Sequence, residues 1–236
     1  AKDGAAATAI DAHRILVVGG KDSDGNYLAT TEIFDLDTMT FTQGPNMLSN
    51  RHACALVALD ARRILAIGGL GGSQFLISTE ILDLDTMTWA QGPEMLSRRQ
   101  GCAAVALDGE RALVVGGLDH NMSRLRSTEI VNLNTMQATP GPTMQAARNC
   151  CAAVRVDERR GLIVGSDVNQ VEDLATTELL DLEAMGFEPG PTMQAEGLVC
   201  AATLLDAKRL IGMGGTGKAR QTSEVLKVND ESGRRQ

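Results

Sequence analysis

Apolar and polar residues along this chain alternate in short runs, with no long stripe of helical period. In the segment 100–144, small apolar residues lead up to Leu107, and a polar turn, Asp108-Gly109-Glu110-Arg111, follows. Next comes Ala112-Leu113-Val114-Val115, closed by Gly116-Gly117. Two short apolar runs joined by an Asp/Gly turn predict a hairpin. After a polar stretch, Ser127-Thr128-Glu129-Ile130-Val131-Asn132-Leu133 alternates aliphatic with polar residues, as a half-buried third strand does. A fourth segment around Gln137 ends at Pro140-Gly141-Pro142. Proline removes a donor from the ladder, so this segment belongs at the outer edge of its sheet.

The same order recurs every 48 or 49 residues. Gly-Gly closes the second strand at Gly19-Gly20, Gly68-Gly69, Gly116-Gly117 and Gly214-Gly215, and Gly165-Ser166 stands in the same phase. Asp11, Asp60, Asp108, Asp157 and Asp206 mark the first turn, and Glu32, Glu80, Glu129, Glu178 and Glu224 mark the third strand. A repeat of this length built from short strands predicts a β-propeller blade. The chain is therefore read as one all-β domain over 1–228, with repeats at 5–47, 52–95, 100–144, 149–193 and 198–228, followed by a polar tail at 229–236. The last copy lacks the residues of an outer strand, which leaves its third strand as an edge that another chain could complete.

An apolar run ending in Gly-Gly, a strand of the Thr-Glu-Ile type, and an aromatic about 20 residues after the glycines (Phe41, Trp89, Phe187) together resemble the kelch repeat. The resemblance covers nearly the whole chain. It implies a propeller of five antiparallel blades around a channel, with small Ala- and Cys-rich first strands innermost, acting as a protein-binding platform. The chain departs from that pattern in two ways. The third-strand tyrosine is replaced by Phe34, Leu82, Val131, Leu180 and Leu226, and Gln137 is read as holding the aromatic position of the third copy.

Composition narrows the partners. With 22 basic against 30 acidic residues the net charge is −8, which disfavours a broad phosphate-binding surface, so nucleic acid is not expected. No apolar run is long enough for a transmembrane helix. Ala1 in place of Met is read as the mark of a removed presequence or a longer parent chain. Cys54, Cys102, Cys151 and Cys200 share one phase and Cys150 is an extra neighbour, a pattern of small buried side chains. Reduced thiols point to an intracellular compartment, cytoplasmic or organellar.

Candidate binding residues lie at one mouth of the channel. Lys2, Arg51, Arg99 and Arg148 immediately precede the innermost strands, with Gly197 in the fifth copy. They are read either as a basic ring for an acidic partner or as internal partners of the phased glutamates. The loops between second and third strands diverge between copies, and variable loops on a repeated scaffold carry recognition. Tyr27, Phe75, Arg124 and Arg126 in these loops are the other candidates, alongside His120, Lys218 and Arg220.

Three catalytic patterns fail on chemistry. Gly212 to Lys218 imitates a phosphate loop, but Ala219 supplies no hydroxyl for magnesium. Asp22 to Asn26 lacks the later glutamate of an EF-hand, and His13, His52 and His120 lie at unrelated phases. No metal, cofactor or catalytic residue is expected. The function implied is a non-enzymatic binding module or assembly subunit; the alternative is a propeller enzyme, an oxidase or lyase, acting on an anionic small molecule at the channel mouth.

Overall fold

The computed structural model describes residues 2–166, 176–193, 199–206, 209–214 and 223–227. Blade 1 consists of β1 (Ala6–Ala9), β2 (Arg14–Val18), β3 (Thr31–Asp35) and β4 (Thr40–Gln43), antiparallel and in that order. Blade 2 contains β5 (Ala55–Ala58) and β6 (Arg63–Ile67), then a small hairpin of β7 (Leu70–Gly71) and β8 (Gln74–Phe75), then β9 (Thr79–Asp83) and β10 (Thr88–Gln91). Blade 3 runs through β11 (Ala103–Ala106), β12 (Arg111–Val115), β13 (Thr128–Asn132) and β14 (Gln137–Pro140). Blade 4 repeats it with β15 (Ala152–Arg155), β16 (Arg160–Val164), β17 (Thr177–Asp181) and β18 (Gly186–Pro189). The fifth blade shows β19 (Val199–Asp206), β20 (Arg209–Gly214) and β21 (Ser223–Lys227). The polar tail lies outside the described residues.

The first strands β1, β5, β11, β15 and β19 lie beside one another in succession, so they are innermost and the architecture is a β-propeller. Small side chains suit that place, where adjacent sheets converge. A backbone chain links them there: Ala53 N–H donates to Gly4 O, Gly101 N–H to Ala53 O and Cys150 N–H to Gly101 O, each at 2.8 Å. These donors sit at φ values of +51° for Ala53, +64° for Gly101 and +51° for Cys150. The extra cysteine thus fills a repeated left-handed position, one that glycine occupies without strain in two of the copies.

The apolar core lies between blades. Leu16, Val18 and Met47 of blade 1 meet Ile64, Ala66 and Leu82 of blade 2, and the same seam recurs between blades 2 and 3 and between blades 3 and 4. The phased methionines divide by position. Met47, Met95, Met144 and Met193 are buried in these seams. Met39, Met87, Met136 and Met185 instead take positive φ in the turn before each outer strand.

Register corrects one expectation. Trp89 pairs with Leu82 and Phe187 with Leu180, but in blade 3 the residue opposite Val131 is Ala138. Ala138, one place beyond Gln137, therefore holds the aromatic position, because the turn leading into β14 is in step with the turns of the other blades.

Candidate functional site

The phased arginines and glutamates form a buried latch. Arg51 donates from Nε and Nη2 to Glu80 Oε1 at 3.1 and 2.9 Å, from Nη1 to the carbonyls of Gly68 and Ser78, and from Nη2 to Ser78 Oγ. Glu80 also accepts the backbone N–H groups of Leu48 and Ser49, which lie in the link from blade 1. Every donor on the fork that makes these contacts has an acceptor, the condition under which a buried charge is tolerated. Arg99 repeats the arrangement with Glu129, Gly116 and Ser127, and Arg148 with Glu178, Gly165 and Thr176.

Backbone geometry makes the latch an inter-blade device. Gly20, Gly69 and Gly117 donate their N–H groups to the carbonyls of Arg51, Arg99 and Arg148 at 2.7 to 2.8 Å. The preceding glycines stand under those same carbonyls. At Gly68, with φ of +60°, a Cβ would lie 2.5 Å from Arg99 O. That close approach is why the motif needs glycine.

Of the two readings of the arginine set, internal pairing is what these contacts display. Arg51 and Arg99 are 0% exposed and Arg148 1%, so their guanidinium groups reach no partner without opening the latch. Lys2, the first-copy counterpart, is different. Its ammonium is 3.1 Å from Glu32 and donates to Thr30 Oγ1, with its side chain 18% exposed. A lysine offers no planar fork to reach the glycine carbonyl as well. Gly197 lies outside the described residues.

Around these latches the variable loops are anchored at equivalent points. Leu28, Leu76 and Leu125 each donate N–H to the second glycine's carbonyl and accept the N–H of the following blade's arginine. What lies between anchors differs. The first loop bridges Lys21 to Tyr27, the second forms the β7/β8 hairpin that carries Phe75, and the third bridges Leu118 to Arg124. Tyr27 leans its ring toward His52 of the next blade, with centroids 5.7 Å apart, and His52 Nε2 is 3.8 Å from Asp3. Phe75 is half-buried, and its carbonyl accepts a bond from exposed Arg98. Arg126 is exposed and donates Nε–H to Met144 O. The fourth and fifth loops, including Lys218 and Arg220, lie outside the described residues.

Arg98 was not singled out from sequence. It adjoins Arg99, and the repeat phase drew attention to the buried member of the doublet, although the unphased member is the exposed one. His13 pairs with Asp37 far from His52, and His120 is exposed in the third loop.

Among the described residues Cys54, Cys102 and Cys151 are free thiols buried in the seams, and Cys150 is an exposed thiol. Burial pushes Cys54 and Cys151 up to about 12 and Cys102 to about 11, against the opposing pull of nearby arginines. Such thiols stay protonated at neutral pH and are poor nucleophiles. Among the described residues no helix is long and apolar enough to cross a membrane.

Comparison with known proteins agrees with the blade geometry. Residues 1–165 match the family model of the KLHDC2/KLHL20/DRC7 Kelch-repeats domain. A search of curated proteins returns no match.

Proposed function

Because this chain belongs to the kelch-repeat family, whose members are typically protein-interaction modules, we propose that it is a non-enzymatic protein-binding module that engages its partner through the divergent loops at the channel mouth. One observation carries the reading. Three loops of different sequence and conformation are fixed at equivalent backbone points of one repeated latch, so the fold holds a rigid frame constant while the presented side chains change. Tyr27 and Phe75 are the aromatic anchors, and Arg124 and Arg126, with Lys2 and Arg98 nearby in the repeat, supply positive charge suited to an acidic partner surface. Arg51, Arg99 and Arg148 act indirectly, by holding the frame.

A second contact belongs to the same proposal. Strand β21 pairs with β20 on one side, and Val225 on it is 48% exposed, so an incoming strand could extend the fifth blade. An intracellular or organellar setting is likewise part of the proposal, supported by Cys54, Cys102 and Cys151 standing as free thiols, where oxidising compartments favour disulfides.

The test uses a photoreactive residue placed at position 27 or 75 to crosslink and identify the partner in extracts of the native source. Tyr27→Ala with Phe75→Ala should then weaken affinity at unchanged melting temperature. Arg124→Ala with Arg126→Ala should weaken it more at low salt than at high salt. Unchanged affinity in both variants would overturn the loop-face reading.

A further inference from the structure

Among the described residues, the seams of blades 1 and 2, 2 and 3, and 3 and 4 share one plan but differ at one position on the outer rim. In the seam of blades 1 and 2, Trp89 is 8% exposed and packs among Leu16, Met47 and Ile64. Its indole Nε1–H donates to Pro45 O at 3.0 Å, and that carbonyl also accepts the Thr31 hydroxyl. In the seam of blades 3 and 4, Phe187 packs against the corresponding cluster. Between blades 2 and 3 the same register position is Ala138.

The missing ring leaves a measurable space. An open groove of about 720 Å³ runs there, bounded by Gln91, Gly92, Pro93, Glu94 and Leu96 of blade 2 and by Met136, Gln137 and Ala138 of blade 3. Leu96 is 53% exposed and Met136 48%, whereas Met95, in the adjoining core, is buried. Pro93 O accepts the Thr79 hydroxyl at 2.7 Å, as Pro45 O accepts Thr31. A carbonyl oxygen has two lone pairs, and in the first seam the second one takes the indole.

We propose that this groove is a socket for a tryptophan side chain presented by a protein partner, with a basic residue beside it. The chain itself displays the occupant: the same seam, one blade earlier, holds an indole against aliphatic side chains and a proline carbonyl. The walls are mixed, aliphatic at Leu96, Met136 and Ala138 and polar at Gln91, Glu94 and Gln137. With a proline carbonyl beside them they suit indole, an apolar ring with one N–H donor, better than a purely aliphatic or a purely polar group. Glu94 at the border and the net charge of −8 select a basic flank. Exposed Leu96 and Met136 are adaptable walls that gain burial when the ring enters. The socket lies on the outer rim and is independent of the loop-face proposal.

The experiment uses the full chain with labelled methionine methyls and N-acetyl-arginyl-tryptophanamide as probe. Ring current from the bound indole should shift the Met136 methyl and leave Met39, which is exposed on blade 1, in place. The leucine analogue of the probe should bind about tenfold more weakly. Ala138→Trp should fill the socket from within, raise the melting temperature and abolish the shift. Leu96→Glu, an exposed change that leaves the core intact, should weaken the probe without destabilising the fold. An unmoved Met136 signal at the probe's solubility limit, or full binding retained in Leu96→Glu or in a folded Ala138→Trp, would overturn the proposal.

Discussion

Arg51 and Glu80 form a hydrogen-bonded ion pair at 2.9 Å with both side chains fully buried, and between them they also hold four backbone groups of two blades. Removing one partner strands the other charge away from water. Arg51→Met should therefore destabilise the protein by about 3 to 5 kcal/mol. The first-copy pair is a built-in control, because Lys2 and Glu32 are partly solvated and Lys2→Met should change stability by about 1 kcal/mol or less. Urea titration of both variants measures the contrast. Equal losses would mean that burial is not what gives the latch its strength.

The glycine under each arginine carbonyl makes a sharper geometric demand. Gly68→Ala places a methyl 2.5 Å from Arg99 O at a positive φ, so either the strand end or the latch must move. Gly72 also has a positive φ, +63°, but nothing lies within 4 Å of where its Cβ would be. Gly72→Ala should cost only backbone strain, about 1 to 2 kcal/mol, and Gly68→Ala clearly more. Melting curves of the two variants, recorded side by side, separate steric from conformational cost.

Aromatic residues at one register position should differ in proportion to what covers them. Trp89→Ala removes a buried ring and its hydrogen bond to Pro45 O, and should cost about 3 to 5 kcal/mol. Phe41 is 61% exposed and meets the ring of Phe34 in its own blade, with centroids 4.6 Å apart, so Phe41→Ala should cost about 1 kcal/mol or less. Comparable losses from chemical denaturation would show that the first blade's face is covered in solution.

These contrasts also mark what sequence could reveal. Glycine pairs, turn aspartates and third-strand glutamates are spaced by the repeat, so the order of strands within a blade was legible from phase alone. The pairing of Arg51 with Glu80 was visible as an option, since both are phased, but phase says nothing about burial. It could not decide between an inward and an outward guanidinium. Cys150 looked like an extra because its neighbour kept the phase; its role follows from a left-handed backbone position that Gly4, Ala53 and Gly101 share. Counting from the glycines puts Gln137 in the aromatic slot, whereas strand pairing with Val131 puts Ala138 there, and register is not readable from spacing alone.

Acid should loosen the blades through their first turns. Asp11 accepts the Arg14 guanidinium at 2.9 and 2.7 Å and the N–H groups of His13 and Arg14, and these bonds hold its carboxyl below the ordinary value. At Asp60, Asp108 and Asp157 partial burial pushes upward, but bonds from Arg63, Arg111 and Arg160 and from backbone N–H groups outweigh it, so these three are lowered too. A carboxyl whose pKa is lower in the folded chain than in the unfolded one binds fewer protons when folded. Its contribution is fully present above the unfolded value of about 3.9 and is lost as pH falls through the folded value. Melting temperature should therefore be insensitive to these groups near neutrality and should drop as pH falls below about 4. Asp60→Asn with Asp108→Asn should lower stability at neutral pH and flatten the acid limb. An acid limb of unchanged steepness in that double variant would place the acid sensitivity elsewhere in the fold.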